Sequence, residues 1–202
     1  MLNEQRESGG RLKSKKGLLV AVSSPSGGGK STIIKRILAK NKEKPYVYSV
    51  SMTTRAKREG EIDGRDYWFV DEETFKEKIK SGDLIEYENV HGWFYGTPKA
   101  PIQNWIDRGK IVFLDIDVYG ALSLRKLFPN SSLLIFLKPP DLEVLKKRLL
   151  GRATEDKSKI QKRLQRVPVE MAAMNKFDEI VVNDDLDEAV RQIEKIVNKK
   201  MM

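Results

Sequence analysis

The chain has 202 residues, of which 40% are hydrophobic and 33% charged, and this balance is typical of a globular domain with a sizeable core. It contains no cysteine and one histidine, which excludes disulfides, thiolate zinc sites, a cysteine nucleophile and a histidine-rich metal site. A formal charge of +9 indicates an anionic partner, either a nucleic acid or a phosphorylated small molecule.

The N-terminal segment and the hydropathy of the chain bear on its location. Residues 1–16 mix acidic and basic side chains around no apolar run, so they are expected to form a flexible basic tail, not a signal peptide. No apolar stretch approaches the ~18 residues that span a bilayer. We therefore expect a cytoplasmic protein without a membrane partner, and its oligomeric state stays open.

Apolar stretches alternate with amphipathic helical segments along the chain, which predicts an α/β fold with a parallel sheet. The expected strands are 18–23, 111–117, 132–137 and 180–182. The expected helices are 30–40, 98–107, 141–150, 157–175 and 186–198, with Thr97 capping the second of them.

The segment from about 52 to 97 has a different pattern. Short strand patterns at 67–70 and 84–90 lie on either side of a charged helix at 72–80, with turn residues between them. This segment is interpreted as a small mixed α+β subdomain that is inserted between the two halves of the sheet.

The stretch SSPSGGGKST, residues 23–32, runs from an apolar strand through a glycine-rich turn into a helix. Such a turn presents backbone N–H groups and a helix N-terminus to a phosphate, while Lys30 supplies charge and Ser31 can ligate Mg²⁺. Ser24 stands where the pattern G-x-x-x-x-G-K-[ST] has its first glycine, a change that costs about 1 kcal/mol if a positive φ is needed. The loop is expected to bind phosphate; a flexible turn with a solvated lysine is the alternative.

A phosphate loop also needs an acidic group near its metal, at the end of a neighbouring strand. Asp115 follows four apolar residues in IVFLDID, residues 111–117, and fits this position. Asp115 and Asp117 are expected to lie on one strand face, with Ile116 on the other. A pair of strand-end carboxylates facing water is the alternative interpretation.

The segment SVSMTTRAKREGEIDGRDYWFV, residues 49–70, resembles the acceptor segment of guanylate kinases, with T-T-R-x-x-R-x-G-E-x-x-G-x-D-Y-x-F matched throughout. The resemblance covers about 17–198 and continues in LIEYENVHGWFYGT (84–97), FLDIDVYG (113–120), LKKRLLGRATED (145–156) and IVVNDD (180–185). Besides Ser24, one residue departs from the family pattern: Tyr119 replaces the glutamine that is usual before the glycine.

The resemblance implies a P-loop kinase fold in which a parallel sheet is flanked by helices. The core would comprise 17–51, 98–150 and 167–198, with a nucleoside-monophosphate-binding subdomain at about 52–97 and a helical lid at about 151–166. The implied reaction is the Mg²⁺-dependent, in-line transfer of the γ-phosphoryl group of ATP to GMP, which gives ADP and GDP.

The acceptor residues can be argued partly from their chemistry. Arg55 and Arg58, with Tyr67 nearby, suit a dianionic monophosphate, because guanidinium groups bind its oxygens in pairs. A buried Glu86 would accept the N1–H and amine of guanine side by side, a donor pair that adenine lacks. On alternation alone, Glu86 and Glu88 would form a solvated strand face.

The resemblance assigns further roles. It implies that Glu86, Ser51 and Thr97 contact the guanine, that Asp117 contacts its amine, and that Tyr95 contacts the phosphate. The implied ATP-binding residues are Ser24, Pro25, Ser26, Gly27, Gly28, Gly29, Lys30, Ser31, Thr32, Arg152 and Asn183. The implied catalytic residues are Lys30, Arg148, Arg152 and Arg163, and the implied metal ligands are Ser31 and Asp115.

Three other classes of protein remain as alternatives. A non-catalytic guanylate-kinase-like module that binds phosphoproteins would not need Lys30 or the lid arginines. A kinase of another nucleoside monophosphate is disfavoured by Glu86. A nucleic-acid binder is disfavoured because the basic residues are scattered and the aromatic residues do not alternate with them as stacking platforms would. The expected partners are ATP and GMP, with dGMP as an additional candidate acceptor.

Overall fold

The computed structural model describes residues 17–90, 92–150 and 157–202, without the side chains at 90, 148–150, 157–160 and 162. In chain order the strands are β1 (Leu18–Ser23), β2 (Tyr46–Ser49), β3 (Met52–Thr53), β4 (Trp68–Phe69), β5 (Leu84–Val90), β6 (Trp93–Pro98), β7 (Ile111–Asp115), β8 (Ser132–Lys138) and β9 (Glu179–Val182). The helices are α1 (Lys30–Lys40), α2 (Glu72–Lys80), α3 (Lys99–Asp107), α4 (Val118–Leu127), α5 (Leu142–Leu150), α6 (Lys157–Ala172) and α7 (Leu186–Met201), and a 3₁₀ turn spans Ala173–Lys176.

The larger sheet has the strand order β2-β7-β1-β8-β9, and all of its pairings are parallel. Helices cover both of its faces, which explains why its central strands are apolar on both sides. In β1, Val20 and Val22 pack toward α1 and α7, whereas Leu19 and Ala21 pack toward α3 and α4. The predicted α/β fold class with a helix-flanked parallel sheet is confirmed.

A smaller sheet with the order β4-β3-β6-β5 is formed by the inserted segment. Its β3–β4 pair is parallel and the other pairs are antiparallel, so the sheet is mixed as expected. Helix α2 covers it through the buried Phe75, whose ring stacks on Phe94 with centroids 5.4 Å apart. The finer division into core, acceptor subdomain and lid stays a prediction.

Several predicted boundaries are wrong, and two of them have a clear local reason. The strand at 111–117 ends at Asp115, because the Asp117 side chain accepts the Gly120 N–H at 2.7 Å and begins α4. Helix α3 begins at Lys99 with Pro98 in the capping position, because the Thr97 hydroxyl donates to Glu86 instead.

The predicted helix at 157–175 ends at Ala172 and continues as the 3₁₀ turn. Strands β2, β3 and β6 and helix α4 were not predicted. Within the described part of the chain, no helix has the length and apolar character needed to cross a membrane.

Candidate active site

The glycine-rich loop turns sharply between β1 and α1. Gly27 and Gly29 have φ values of 85° and 90°, which residues with a Cβ rarely adopt, and Gly29 directly precedes the helix. Ser24 is buried and donates to the Pro25 carbonyl at 2.9 Å. A Cβ on Gly28 would lie 2.3 Å from Ser24 Oγ, so the serine fits because residue 28 has no side chain.

The first turn of α1 meets the end of β7. β1 and β7 are neighbours, and Val22 pairs in register with Asp115, so the loop and this carboxylate share one edge of the sheet. Ser31 Oγ donates to the Asp115 carboxylate, and Lys30 Nζ lies 3.8 Å from Asp115 Oδ1. The predicted association of the loop lysine, the serine hydroxyl and the strand-end carboxylate is therefore present.

The loop is also held from the C-terminal half of the chain. Arg163 on α6 donates to Ser26 Oγ at 3.1 Å, and the buried Glu170 on the same helix lines the cleft with Ser26. Asn183, which follows β9, is buried and donates to the Gly28 carbonyl at 2.7 Å. The Arg148 side chain and Arg152, both predicted for the lid, lie outside the described residues.

The inserted subdomain holds its arginines with Glu61, a residue that the sequence analysis did not single out. The buried Arg55 donates to Glu61 Oε1 at 2.7 Å and lies 5.5 Å from the centroid of the Tyr67 ring. The Arg58 backbone N–H donates to Glu61 Oε2 at 2.8 Å, while the Arg58 side chain is exposed. Burial raises the pKa of Glu61, but the bonds from Arg55 and Arg58 outweigh it and leave the pKa low.

Glu86 on β5 is a half-buried carboxylate in the inserted subdomain. Burial raises its pKa to about 7, although the hydrogen bond from Thr97 Oγ1, 2.5 Å long, opposes the shift. A Cβ on Gly120 would lie 3.0 Å from Glu86 Cγ, so helix α4 packs closely against this side chain.

Three further charged residues lie near Glu86, and the sequence analysis did not predict them as a group: Glu88, Arg166 and Glu170. Glu88 lies two residues beyond Glu86 on β5, and Arg166 on α6 donates to its carboxylate. Burial, followed by the neighbouring Asp117, raises the pKa of Glu88 to about 8. Arg166 and Glu170 follow Arg163 at helical spacing in the sequence, which is the signal that could have revealed them.

One cleft joins the two ends. Among the predicted donor-side residues, its walls include Ser24, Ser26, Gly27, Gly28, Gly29, Lys30, Ser31, Thr32, Asp115 and Arg163. Among the predicted acceptor-side residues, they include Ser51, Arg55, Arg58, Tyr67, Glu86, Tyr95 and Asp117. Thr97 and Asn183 do not line the cleft but donate hydrogen bonds to residues that do, namely Glu86 and Gly28 respectively.

A phosphate loop in one cleft with arginines and a half-buried carboxylate defines a P-loop phosphotransferase with two anionic substrates. The guanylate kinase family model matches residues 16–200. Guanylate kinases from two strains of Streptococcus thermophilus, CNRZ 1066 and ATCC BAA-250 / LMG 18311, are each 44% identical over 184 residues, which is 91% of this chain and 87% of theirs.

The crystal structure of guanylate kinase from Anaplasma phagocytophilum is similar, with a TM-score of 0.77 and 31% identity over 93% of this chain and 88% of that one. This chain therefore belongs to the guanylate kinase family. The predicted family and enzyme class, ATP-dependent phosphorylation of GMP, are confirmed.

Proposed function

We propose that this protein transfers the γ-phosphoryl group of ATP to GMP, with Mg²⁺ as the cofactor, and releases ADP and GDP. The observation that carries the proposal is the cleft whose walls include Lys30 of the phosphate loop together with Arg55 and the half-buried Glu86 of the inserted subdomain. No observation favours a non-catalytic module, because the lysine, the hydroxyl and the carboxylate of the donor site are all in place.

On the donor side, the loop N–H groups and Lys30 would bind the β- and γ-phosphates of ATP. Arg163, already in contact with the loop, would stabilise the charge on the transferring group, together with the lid residues Arg148 and Arg152. Asn183, with Arg152, would contact the adenine side.

Ser31 and Asp115 fit a magnesium site, because a hydroxyl and a carboxylate oxygen lie in contact on one side of the loop. Within the described ranges, no group of three or more acidic or histidine residues forms a ready-made metal site. This suits Mg²⁺, which is commonly bound through one or two protein groups plus nucleotide phosphates and water. When bound, the ion would neutralise charge on the phosphate oxygens.

On the acceptor side, Arg55, Arg58, Tyr67 and Tyr95 would bind the GMP phosphate. Glu61 already occupies donors of Arg55, so it must share or release the guanidinium when the phosphate enters. The base would be read separately: Glu86, Ser51 and Thr97 contact its edge, and Asp117 contacts its amine. dGMP is proposed as a further acceptor, because no contact in this set involves the ribose 2′-hydroxyl.

The reaction needs no general base. The second pKa of a phosphate monoester is near 6, so a GMP phosphate oxygen is ionised at neutral pH and can attack the γ-phosphorus directly. The bond from that phosphorus to the ADP oxygen breaks as the new bond forms. Catalysis then consists of alignment and charge stabilisation in a closed, dry cleft.

The proposal is tested by a coupled assay of ADP release with GMP, AMP, CMP and UMP offered in turn. Turnover is expected with GMP and not with the pyrimidine nucleotides, and equal rates with AMP would contradict the proposal. Lys30→Met should lower kcat by at least about a hundredfold, because it removes a charge that acts on the transferring group. The exposed Lys42→Met serves as its matched control.

A further inference from the structure

Helix α6 presents three charged residues to the cleft at intervals of three and four, so they lie on one helix face. Arg163 donates to the Ser26 hydroxyl of the phosphate loop, and Glu170 lines the same cleft as Ser26. Arg166 lies between them in sequence but extends toward the acceptor end. This face of α6 therefore contacts the donor loop and the acceptor site together.

The Arg166 guanidinium is surrounded by carboxylates from three elements. It donates to Glu88 on β5, its Nη2 lies 3.7 Å from Asp117 Oδ2 at the start of α4, and its Nε lies 3.7 Å from Glu170 Oε1. Without this guanidinium, Glu88, Asp117 and Glu170 would each lose a positive charge that lies within 4 Å. Like charges that are close together repel strongly in a partly buried site.

Within the part of the chain that the structure describes, Asp117 has one carboxylate oxygen that accepts a hydrogen bond and one that does not. Its Oδ1 accepts the Gly120 N–H at 2.7 Å, which sets the orientation of the side chain. Its Oδ2 is buried and has no hydrogen-bond partner among the described residues, yet Asp117 lines the cleft beside Glu86. A buried acceptor without a partner is costly, so it is suited to a donor that arrives with the substrate.

We propose that Arg166 is a positioning residue for the acceptor base: its guanidinium pairs with both Glu88 and Asp117, and so keeps Asp117 Oδ2 directed at the exocyclic amine of guanine. The inference rests on the proposed function and deepens it. It assigns to Arg166 a share of the discrimination between GMP and IMP, because the base of IMP lacks that amine. Arg166 itself touches neither nucleotide in this role.

The test compares GMP and IMP with Arg166→Met, which removes the charge and keeps most of the stem. KM for GMP should rise about tenfold, KM for IMP should change less than about threefold, and KM for ATP should stay within about twofold. Arg166→Lys keeps the charge without the planar fork and should recover part of the selectivity. Gln165→Met, on the exposed side of α6, is the matched control and should behave as wild type.

A second variant separates repulsion from lost packing. Glu88→Gln added to Arg166→Met removes the carboxylate left unpaired, so the double variant should select GMP over IMP better than Arg166→Met alone. The inference would be overturned if Arg166→Met raised KM equally for GMP and IMP. It would also be overturned if the double variant selected GMP over IMP no better than Arg166→Met.

Calorimetric binding of GMP and IMP without ATP makes the test independent of turnover. Wild-type protein that binds GMP but does not phosphorylate it contradicts the proposed function, and the effect of Arg166→Met on the two affinities still decides the inference. A loss of thermal stability in Arg166→Met is checked separately, and the Arg166→Lys variant then carries the comparison.

Discussion

At the scale of the residue, Glu86 combines burial with a function that needs its charge. Its pKa is raised to about 7, mainly because burial disfavours the ionised form. To accept the N1–H and amine of guanine as a pair, the carboxyl group must be ionised. Near neutral pH, GMP binding is therefore expected to release a proton from this side chain.

This expectation has a definite sign. Because its pKa is about 7, Glu86 is mostly protonated below that pH and cannot accept both guanine donors. The affinity for GMP should therefore increase as pH rises from 6.5 to 8 and level off above that. Glu88, Asp117 and Arg166 face the same space, and the last of these favours ionisation. Calorimetry in buffers of different ionisation enthalpy measures the proton released.

The control for this measurement is Glu86→Gln, which cannot titrate. Its remaining pH dependence reports the GMP phosphate, whose second pKa is near 6, and Glu88, whose pKa is raised to about 8 mainly by burial. If wild type and Glu86→Gln show the same pH profile above 6.5, the raised pKa of Glu86 has no part in GMP binding.

Residue chemistry was the level at which the sequence was most informative. The loop, Arg55 and Glu86 were identified because each belongs to a contiguous motif. Glu61 was overlooked although it lies within the same motif, since a partner of an arginine looks like any surface acid in sequence. Arg166 and Glu88 are separated by 78 positions, and only the fold brings them together.

At the scale of the element, the missed features share a cause. Strand β3 has only two residues, and the pairing of β3 and β6 is determined by partners elsewhere in the chain. Helix α4 was missed because Gly120 in its first turn weakens the helical pattern. A glycine fits at position 120 because the Glu86 side chain packs closely against the helix there.

Gly120→Ala separates helix propensity from function. Alanine favours the helix by up to about 1 kcal/mol, so the free energy of unfolding should stay the same or increase. The new Cβ would lie 3.0 Å from Glu86 Cγ and 3.2 Å from its Oε2, so the carboxylate must shift. KM for GMP should rise about tenfold, as measured by steady-state kinetics.

The neighbouring Ser123→Ala, on the same helix, provides the control for Gly120→Ala and should leave KM for GMP unchanged. A Gly120→Ala protein with wild-type KM for GMP would show that Glu86 does not need its observed position.

At the scale of the whole molecule, the parallel sheet places the phosphate loop and Asp115 at one edge, and the inserted sheet places Glu86 and Arg55 across the cleft from them. The fold class could be predicted because βα alternation is a repeated local signal. The way in which α6 reaches both ends of the cleft could not be predicted from the sequence, because it depends on the packing of three distant segments. The excess positive charge agrees with two anionic substrates.

The central claim is that the half-buried carboxylate of Glu86 admits guanine alone to the acceptor end of this cleft. The most direct measurement is the ratio of kcat/KM for GMP to that for AMP in wild type, in Glu86→Gln and in the exposed control Glu73→Gln. We predict that the ratio falls at least about a hundredfold in Glu86→Gln, because its amide presents a donor to the guanine amine, and that it is unchanged in Glu73→Gln. A Glu86→Gln protein that keeps the wild-type ratio would contradict the account.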